Sequence, residues 1–232
     1  MAILEYPQVI NFSGSQLLCG DFDSTRAVEW TAEITLRDKS DEEGDPLTVG
    51  GVKFITASLT DETDDMLDAY SPETEIFSEL FDGEFLAAEV EDQFEGVPSG
   101  LIILKSAYLL PAVRGRNLGA WAVAEVIHHM GFAALSFIAG YPCPSGGGDL
   151  APKERKQACA SLARHWEKVG LRPITAAPHL MGQLGDHLDL DKSRSELEFI
   201  KDIEVEISAA DLAAIKDGTD KSARPAVCCV DY

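Results

Sequence analysis

The sequence predicts a mixed α+β fold in which a central twisted sheet of mixed strand direction is flanked by helices. In the first part of the chain, residues 25–36 alternate polar and apolar side chains, and residues 47–59 are rich in β-forming side chains. The acidic segment between them, 38–46, contains Gly44 and Pro46, so an antiparallel hairpin is expected. Residues 101–172 then follow the order strand, loop, helix, strand, loop, helix. An antiparallel start followed by alternating strands and helices is typical of a mixed sheet with helices packed on it.

The second half supplies the clearest individual elements. A nearly unbroken apolar run ending at Pro111 is typical of a central strand, and Gly131 and Gly170 each follow an amphipathic stretch as a helix-ending glycine would. The predicted elements are a strand at 101–110, a helix at 118–130, a strand at 132–139 and a helix at 153–169.

The remaining segments indicate one core domain with an addition at each end of the chain. Residues 61–95 carry apolar side chains at mixed three- and four-residue spacings, which predicts short amphipathic helices broken near Pro72 and Gly83. A late strand at 203–207 is followed by a helix capped by Ser208. The expected domains are an N-terminal arm (1–24), a core (25–180) with an acidic helical insertion (61–95), and a C-terminal strand and helix extension (181–232).

Composition places the chain among soluble globular proteins. Of its 232 residues, 45% are hydrophobic and 25% are charged, which excludes a disordered, collagenous or membrane-spanning chain. The first seven residues have no basic region and no long apolar stretch, so no signal peptide is expected. Five scattered cysteines without CxxC spacing indicate reduced thiols and a cytoplasmic location; they are Cys19, Cys143, Cys159, Cys228 and Cys229.

Charge is unevenly distributed along the chain. The net charge is −21, which argues against binding to nucleic acid or to an anionic membrane, because phosphate contacts need Lys and Arg. Residues 54–104 hold 14 acids and no Lys or Arg, whereas residues 105–172 hold nine basic and four acidic residues. Two interpretations stay open: a solvated acidic surface with chance clustering, or an anion site in a protein that attracts cationic partners.

The most informative stretch is the loop between the strand at 101–110 and the helix at 118–130. It contains Arg114, Gly115, Arg116 and Gly119, and it leads directly into the helix. Such a turn points backbone N–H groups at one spot, where the helix dipole adds positive potential. The loop is therefore interpreted as a pyrophosphate cradle, with an ordinary strand–helix turn as the alternative. It is not a Walker loop, because no Gly-Lys-Ser/Thr follows.

At these residues the chain resembles the GNAT acyltransferase superfamily. The cofactor loop of that family reads Val-x-Pro-x-x-Arg-x-x-Gly-x-Gly/Ala, and Leu109, Pro111, Arg114 and Gly119 fall in register with it. Residues 162–171 are similar to the family's Tyr-Glu-Lys-Leu-Gly-Phe ending of the last core helix. The resemblance covers roughly residues 25–180 and is strong from 101 to 172.

The resemblance implies acetyl-CoA as cofactor, with its pyrophosphate on the N–H groups of residues 114–119. Its pantetheine arm would add to the backbone of Leu109 and Leu110, at a place where two central strands splay apart. The implied cofactor-binding residues are Leu109, Leu110, Arg114, Gly115, Arg116, Asn117, Leu118, Gly119, Ala120, Cys159 and Trp166.

Three of these residues depart from the family pattern. Asn117 replaces the first glycine of Gly-x-Gly, which is tolerable if the position is helical. Trp166 stands where many relatives have the Tyr proposed to protonate the leaving thiolate, and an indole has no usable proton. Cys159 stands where an Asn often contacts the cofactor.

The candidate catalytic residues are Tyr141, Cys143 and His165. A cysteine nucleophile, Cys143 or Cys159 with His165, is a weaker alternative because no orienting third group is evident. No metal is expected, since a site built from His179, His187, Asp189 and Asp191 matches no known ligand spacing. The glycine-rich segment 145–149 is interpreted as a substrate-side loop.

Two functions follow as hypotheses. The first is an N-acetyltransferase that moves acetyl from acetyl-CoA to an amine of a small molecule or peptide, with the segments 61–95 and 141–152 forming the acceptor pocket. Acidic walls favour a cationic acceptor. The second is a catalytically silent module of the same fold that senses CoA or contacts other proteins. Whether the chain forms a homodimer is left open.

Overall fold

The computed structural model describes residues 1–16, 26–41, 43–60, 62–83, 85–130, 136–144, 151–185 and 188–218. Within these ranges the strands are β1 (Ala2–Gln16), β2 (Val28–Asp38), β3 (Leu47–Ser58), β4 (Phe81–Asp82), β5 (Phe85–Leu86), β6 (Gly100–Leu109), β7 (Ser136–Gly140), β8 (Arg172–Pro173), β9 (Met181–Leu184) and β10 (Val205–Ile207). The α-helices are α1 (Thr63–Tyr70), α2 (Pro72–Glu75), α3 (Ala88–Phe94), α4 (Leu118–His129), α5 (Pro152–Glu167), α6 (Leu188–Glu196) and α7 (Ala209–Lys216). Short 3-10 helices cover Ile76–Leu80, Pro111–Val113 and Glu198–Asp202.

Eight strands form one mixed sheet in the order β10-β1-β2-β3-β6-β7-β9-β8. Neighbouring strands are antiparallel except for β6 and β7, which run parallel. The parallel pair is possible because α4 carries the chain back across the sheet between the two strands. The predicted α+β class, with a large mixed sheet flanked by helices, is confirmed.

The central strand β6 divides its side chains between two hydrophobic clusters. Ile102 and Leu104 belong to the cluster that contains α4, whereas Leu101 and Ile103 belong to the cluster that contains α1 to α3. All four are almost fully buried. Successive side chains of a strand point to opposite faces, so a strand covered on both sides is apolar throughout. Each such buried side chain stabilises the fold by about 1.5–3 kcal/mol.

Most elements predicted from periodicity are confirmed. The hairpin of β2 and β3, the strand β6 and the helices α4 and α5 lie within a few residues of their predicted bounds. The 61–95 segment forms three short helices with a break at Pro72, and its second break at Gly83 is the turn of a small hairpin, β4–β5. Of the strand predicted at 132–139, residues 136–140 are described.

The predicted N-terminal arm and C-terminal extension both contribute strands to the same sheet as the predicted core. Most of β1 pairs with β2, and its first residues, Ala2 to Leu4, pair with Val205 to Ile207 of β10. In the 181–232 extension, β9 pairs with β7. Ser208 caps α7 as predicted, because its Oγ accepts a hydrogen bond from the Asp211 N–H at 3.1 Å. Residues 219–232, with Cys228 and Cys229, lie outside the described residues.

None of the helices in the described part of the chain is long and apolar enough to cross a membrane.

Candidate functional site

The two parallel strands β6 and β7 separate partway along β6. Their pairing runs from Gly100 with Ser136 to Leu104 with Gly140. Beyond this point β6 continues for five residues, through Leu109, and among the described residues only β3 pairs with it there. The register with β3 also shifts around Lys105. Within the described residues the sheet therefore forks after Leu104, where β7 no longer pairs with β6.

A cavity of about 260 Å³ lies at this fork. One wall comes from α2 and the turn after it, including Glu73 and Phe77, and Lys105 of β6 lies opposite. The segment after β7 contributes Tyr141 and Cys143. The described walls also include Pro72, Ile76, Leu104, Pro144 and, from α5, Arg155. The described lining residues at 72–77 and 141–144 belong to the two segments that were expected to form an acceptor pocket, and they lie on the wall of one cavity.

Lys105 is held in the cavity wall by two partners. Its Nζ donates a hydrogen bond to a Glu29 carboxylate oxygen at 2.8 Å and lies 5.1 Å from the centre of the Tyr70 ring. The Tyr70 hydroxyl donates to the other Glu29 oxygen at 2.7 Å. Burial alone would raise the pKa of Glu29, but the hydrogen bonds from Lys105 and Tyr70 outweigh burial and lower it. This network fixes a cation in the middle of a mostly apolar strand.

Two cysteines, a tyrosine and an arginine form a second polar group at the cavity. The Cys159 thiol donates to the Cys143 sulfur, with the two Sγ atoms 3.1 Å apart. Burial opposes ionisation of Cys143, but hydrogen bonds from Cys159, Tyr141 and Arg155 outweigh it and lower the pKa of Cys143. Burial, together with the hydrogen bond to Cys143, raises the pKa of Tyr141. The phenol therefore keeps its proton at neutral pH.

The structure separates the other two residues singled out on α5 from this group. Trp166 is 3% exposed and packs in the hydrophobic cluster of α4, and its indole N–H has no hydrogen-bond partner among the described residues. His165 is also buried. The described walls of the cavity include neither residue. Of the three candidate catalytic residues, Tyr141 and Cys143 thus lie together, and His165 is not on the cavity wall.

The loop before α4 gathers positive charge. The Arg114 Nε donates to the Leu109 carbonyl at 3.0 Å, and the Arg116 Nη1 donates to the Arg114 carbonyl at 3.0 Å. A guanidinium has five N–H donors, so each contact leaves others on the same group. Lys168 joins the loop from the end of α5, with its Nζ 2.7 Å from the Asn117 Oδ1.

The backbone of this loop is consistent with a bound anion. Gly115 has φ +82°, and a Cβ built there would meet no atom within 4 Å, so the space beside it is open. The first helical hydrogen bond of α4 runs from the Trp121 N–H to the Asn117 carbonyl, which leaves the N–H groups of Leu118, Gly119 and Ala120 ahead of it. Asn117 makes no side-chain cap there. Uncapped N–H groups at a helix start, with cations beside them, are the usual components of a phosphate site.

Two details differ from what the resemblance implied. Asn117 was acceptable as a helical residue, but it has φ +59° and lies in the left-handed region. Asn is among the side chains best tolerated there, which explains how it can stand where the family has glycine. In addition, the Leu110 N–H donates to the Val49 carbonyl at 2.8 Å and the Leu109 carbonyl accepts from Arg114. These two backbone groups are already occupied.

The alternative sites have little support in the described part of the chain. No group of three or more His, Cys, Asp or Glu side chains converges there as a metal site would require. His179 contacts Glu79 at 3.5 Å instead, and His187 lies outside the described residues. The segment 145–149 also lies outside them.

Sequence reasoning missed Lys105, Arg155 and Lys168 as site residues. A lysine within the apolar run 101–110 was a usable signal, because a charge in a central strand needs a reason to be there. Lys168 is 51 residues from Asn117 in the chain, and nothing local predicts that they meet. No protein-family model, curated protein or solved structure was found to match the chain.

Proposed function

We propose that the protein is an acyl-CoA-dependent N-acyltransferase of the GNAT type, with acetyl-CoA as the donor. The observation that carries the proposal is the fork between β6 and β7. Beyond Leu104, β6 runs from the cavity to the loop at the start of α4, and β3 is the one described strand that pairs with it there. A ligand with an anionic part and an extended arm can therefore occupy the loop and reach the cavity along one strand.

The sheet topology supports the same proposal. The resemblance implies central strands that splay apart, and the one parallel pair among the described strands, β6 and β7, stops pairing after five residues. The loop that carries Arg114 and Gly115 lies between the strand and helix where the resemblance implies it, and α5 ends beside it through Lys168.

In this proposal Arg114, Arg116 and Lys168, with the N–H groups that open α4, bind the pyrophosphate. An acyl-CoA bound here supplies an acyl group activated as a thioester. Lys105 and its partners Glu29 and Tyr70 keep the cavity wall rigid. Tyr141 holds a proton at its hydroxyl at neutral pH, as a general acid at this position must. Its location at the fork makes it a better candidate for that role than Trp166.

The acceptor we propose is an amine that carries positive charge. All described carboxylates of residues 62–95 are exposed or half-buried, so α1 to α3 present an acidic surface beside the cavity. The cavity wall itself carries Glu73 together with Lys105 and Arg155. The acidic surface would thus attract a cationic acceptor at long range, without pairing with it inside the cavity.

The first experiment measures CoA binding by calorimetry and thiol release from acetyl-CoA across a panel of amines. Arg114→Glu should weaken CoA binding by about 1–3 kcal/mol, the usual range for a hydrogen bond to a charged group. Lys192→Glu is a matched charge reversal on the exposed face of α6 and should leave binding unchanged. If both variants bound CoA with equal affinity, or if the unaltered protein did not bind CoA, the proposal would be refuted.

The same data separate the enzyme from the silent module. CoA binding that depends on Arg114, without turnover of any amine, would favour a CoA-sensing or interaction role. Buried Trp166 at the position of the family's proposed acid is the specific observation behind this second candidate.

The acceptor class is tested by salt. The KM of a di- or triamine should rise steeply with ionic strength, because the Debye length falls from ~10 Å at 0.1 M to ~3 Å at 1 M. The KM of a neutral-bodied monoamine should change little. An equal response of both, or a preference for anionic acceptors, would show that the acidic surface serves solubility alone.

A further inference from the structure

Two cysteines from different elements meet at the edge of the cavity. Cys143 lies in the segment after β7, and Cys159 lies on α5, sixteen residues further along the chain. Both are free thiols; Cys143 is buried and Cys159 is half-buried. Their Sγ atoms are 3.1 Å apart, whereas bonded sulfurs are ~2 Å apart. A shift of about 1 Å would bring them to bonding distance.

The surroundings of the two sulfurs are unequal. Arg155 lies one helical turn before Cys159 and hydrogen-bonds to Cys143, as the Tyr141 hydroxyl does. Burial opposes ionisation of Cys143, but these contacts and the hydrogen bond from Cys159 lower its pKa. Burial and the neighbouring Cys143 raise the pKa of Cys159 to about 11. Cys143 is therefore the sulfur that ionises first, and the thiolate is the nucleophilic form.

We propose that Cys143 and Cys159, here called the thiol pair, are a modification site at which hydrogen peroxide oxidises Cys143 and Cys159 then closes an intrachain disulfide. The inference stands on the thiol pair and its neighbours and does not depend on acyl transfer.

The chemistry balances in two steps. The Cys143 thiolate gives an electron pair to one peroxide oxygen, the O–O bond breaks, and the product is a Cys143 sulfenic acid and hydroxide, which takes a proton to become water. The Cys159 sulfur then loses its proton and attacks the Cys143 sulfur, so that an S–S bond forms and the S–O bond breaks. The released hydroxide takes that proton as a second water. Two thiols and one peroxide thus give one disulfide and two waters.

Disulfide formation would change the cavity directly. Cys143 is a wall residue and the hydrogen-bond partner of Arg155, so oxidation removes the ionisable thiol that Arg155 contacts. It would also tie the segment that carries Tyr141 to α5. The wall at the fork would then be covalently fixed in the oxidised protein and adjustable in the reduced one.

The test uses the full chain with Cys19, Cys228 and Cys229 replaced by serine, so that the thiol pair holds the only cysteines left. Trypsin places the pair on separate peptides, residues 117–153 and 157–164. After treatment with hydrogen peroxide, mass spectrometry should find these two peptides joined and two hydrogens lighter than their sum. Thiol titration should fall by two per chain, and both changes should reverse with a reductant.

The order of oxidation is tested with single variants in that background. Cys159→Ser should stop at a sulfenic acid on Cys143 that a dimedone probe labels. Cys143→Ser should consume peroxide at least about tenfold more slowly, because the remaining thiol is mostly protonated at neutral pH. Arg155→Gln should slow the reaction several-fold, and Arg164→Gln, a matched change on the exposed side of the same helix, should not.

Several results would overturn the proposal. One is loss of thiol without the joined peptides. Another is a disulfide that links two chains on a non-reducing gel. Dimedone labelling of Cys159 in place of Cys143, or equal rates for the two arginine variants, would refute the assigned order even if a disulfide forms.

Discussion

Asn117 provides a sharp test of the loop at the start of α4. Its φ of +59° lies in the left-handed region, which costs an ordinary L-residue about 1–2 kcal/mol relative to glycine, and Asn less. Asn117→Ala should therefore lower the free energy of unfolding by about 1 kcal/mol and Asn117→Val by about 2 kcal/mol. Asn117→Gly should stay within about 0.5 kcal/mol of the unaltered protein, because relief of backbone strain offsets the lost contact with exposed Lys168.

The assay is urea unfolding, with thermal unfolding as a second measure. For a chain of this length 1 kcal/mol corresponds to about 2–4 °C in Tm, so the valine variant should melt about 4–8 °C lower. Ala160→Val is the control, since it places the same β-branched side chain at an exposed right-handed helical position, where the cost is about 0.5 kcal/mol. CoA affinity should fall in the same order, Gly, Ala, Val. A valine variant as stable as the glycine variant would show that the left-handed turn, and the cradle built on it, is wrong.

Three further predictions concern the fold. Trp166→Ala should lower the free energy of unfolding by about 3–5 kcal/mol. Trp166→Tyr should lower it by about 1–3 kcal/mol, because the hydroxyl would enter an apolar cluster, and it should not raise the rate of the proposed acetyl transfer. A tyrosine variant that is stable and faster would contradict this. Hydrogen bonds from Lys216 and Ser40 lower the pKa of Asp38 to about 2, so its stabilisation, about 1 kcal/mol after screening at exposed Lys216, should be complete above pH 4 and lost toward pH 2. In acid titrations, the difference in free energy of unfolding between the unaltered protein and Asp38→Asn should therefore fall to zero as the pH drops from 4 to 2. A difference that does not change with pH would refute this prediction. Gly50→Ala should cost about 1–3 kcal/mol in urea unfolding, because its Cβ would overlap the carbonyl oxygen of the paired β6 strand, and a neutral result would refute that close approach.

Elements whose signal is local could be predicted from the sequence. The central strand β6 is apolar on both faces and α4 is apolar on most of its surface, so each was predicted within a residue or two. Strand β1 was missed for a physical reason. Tyr6 and Asn11 have positive φ, and the register with β2 shifts near both, so the alternation of side chains is broken twice within fifteen residues.

The site was predictable only in its contiguous part. Arg114, Gly115 and Arg116 lie in one loop, and their residue types favoured an anion site over an ordinary strand–helix turn only in combination with the resemblance. The contact between Cys143 and Cys159 depends on how α5 packs against the end of β7, and the place of Lys105 depends on Glu29, 76 residues earlier. Such contacts depend on the tertiary structure, and the periodicity of a single sequence gives no information about which distant residues meet.

The pairing of β1 with β10 has a consequence for how the chain folds. Ala2 to Leu4 find their partners about two hundred residues later, at Val205 to Ile207. Contacts so distant in sequence form late and slowly, because a long loop must close before they contribute any stability. Until they form, the outer edge at Ala2 to Leu4 is an unpaired β-edge, the kind of surface that joins chains into aggregates. On a ribosome this edge stays open until nearly the whole of the described chain has been made, so synthesis is the period when the protein is most exposed to wrong partners.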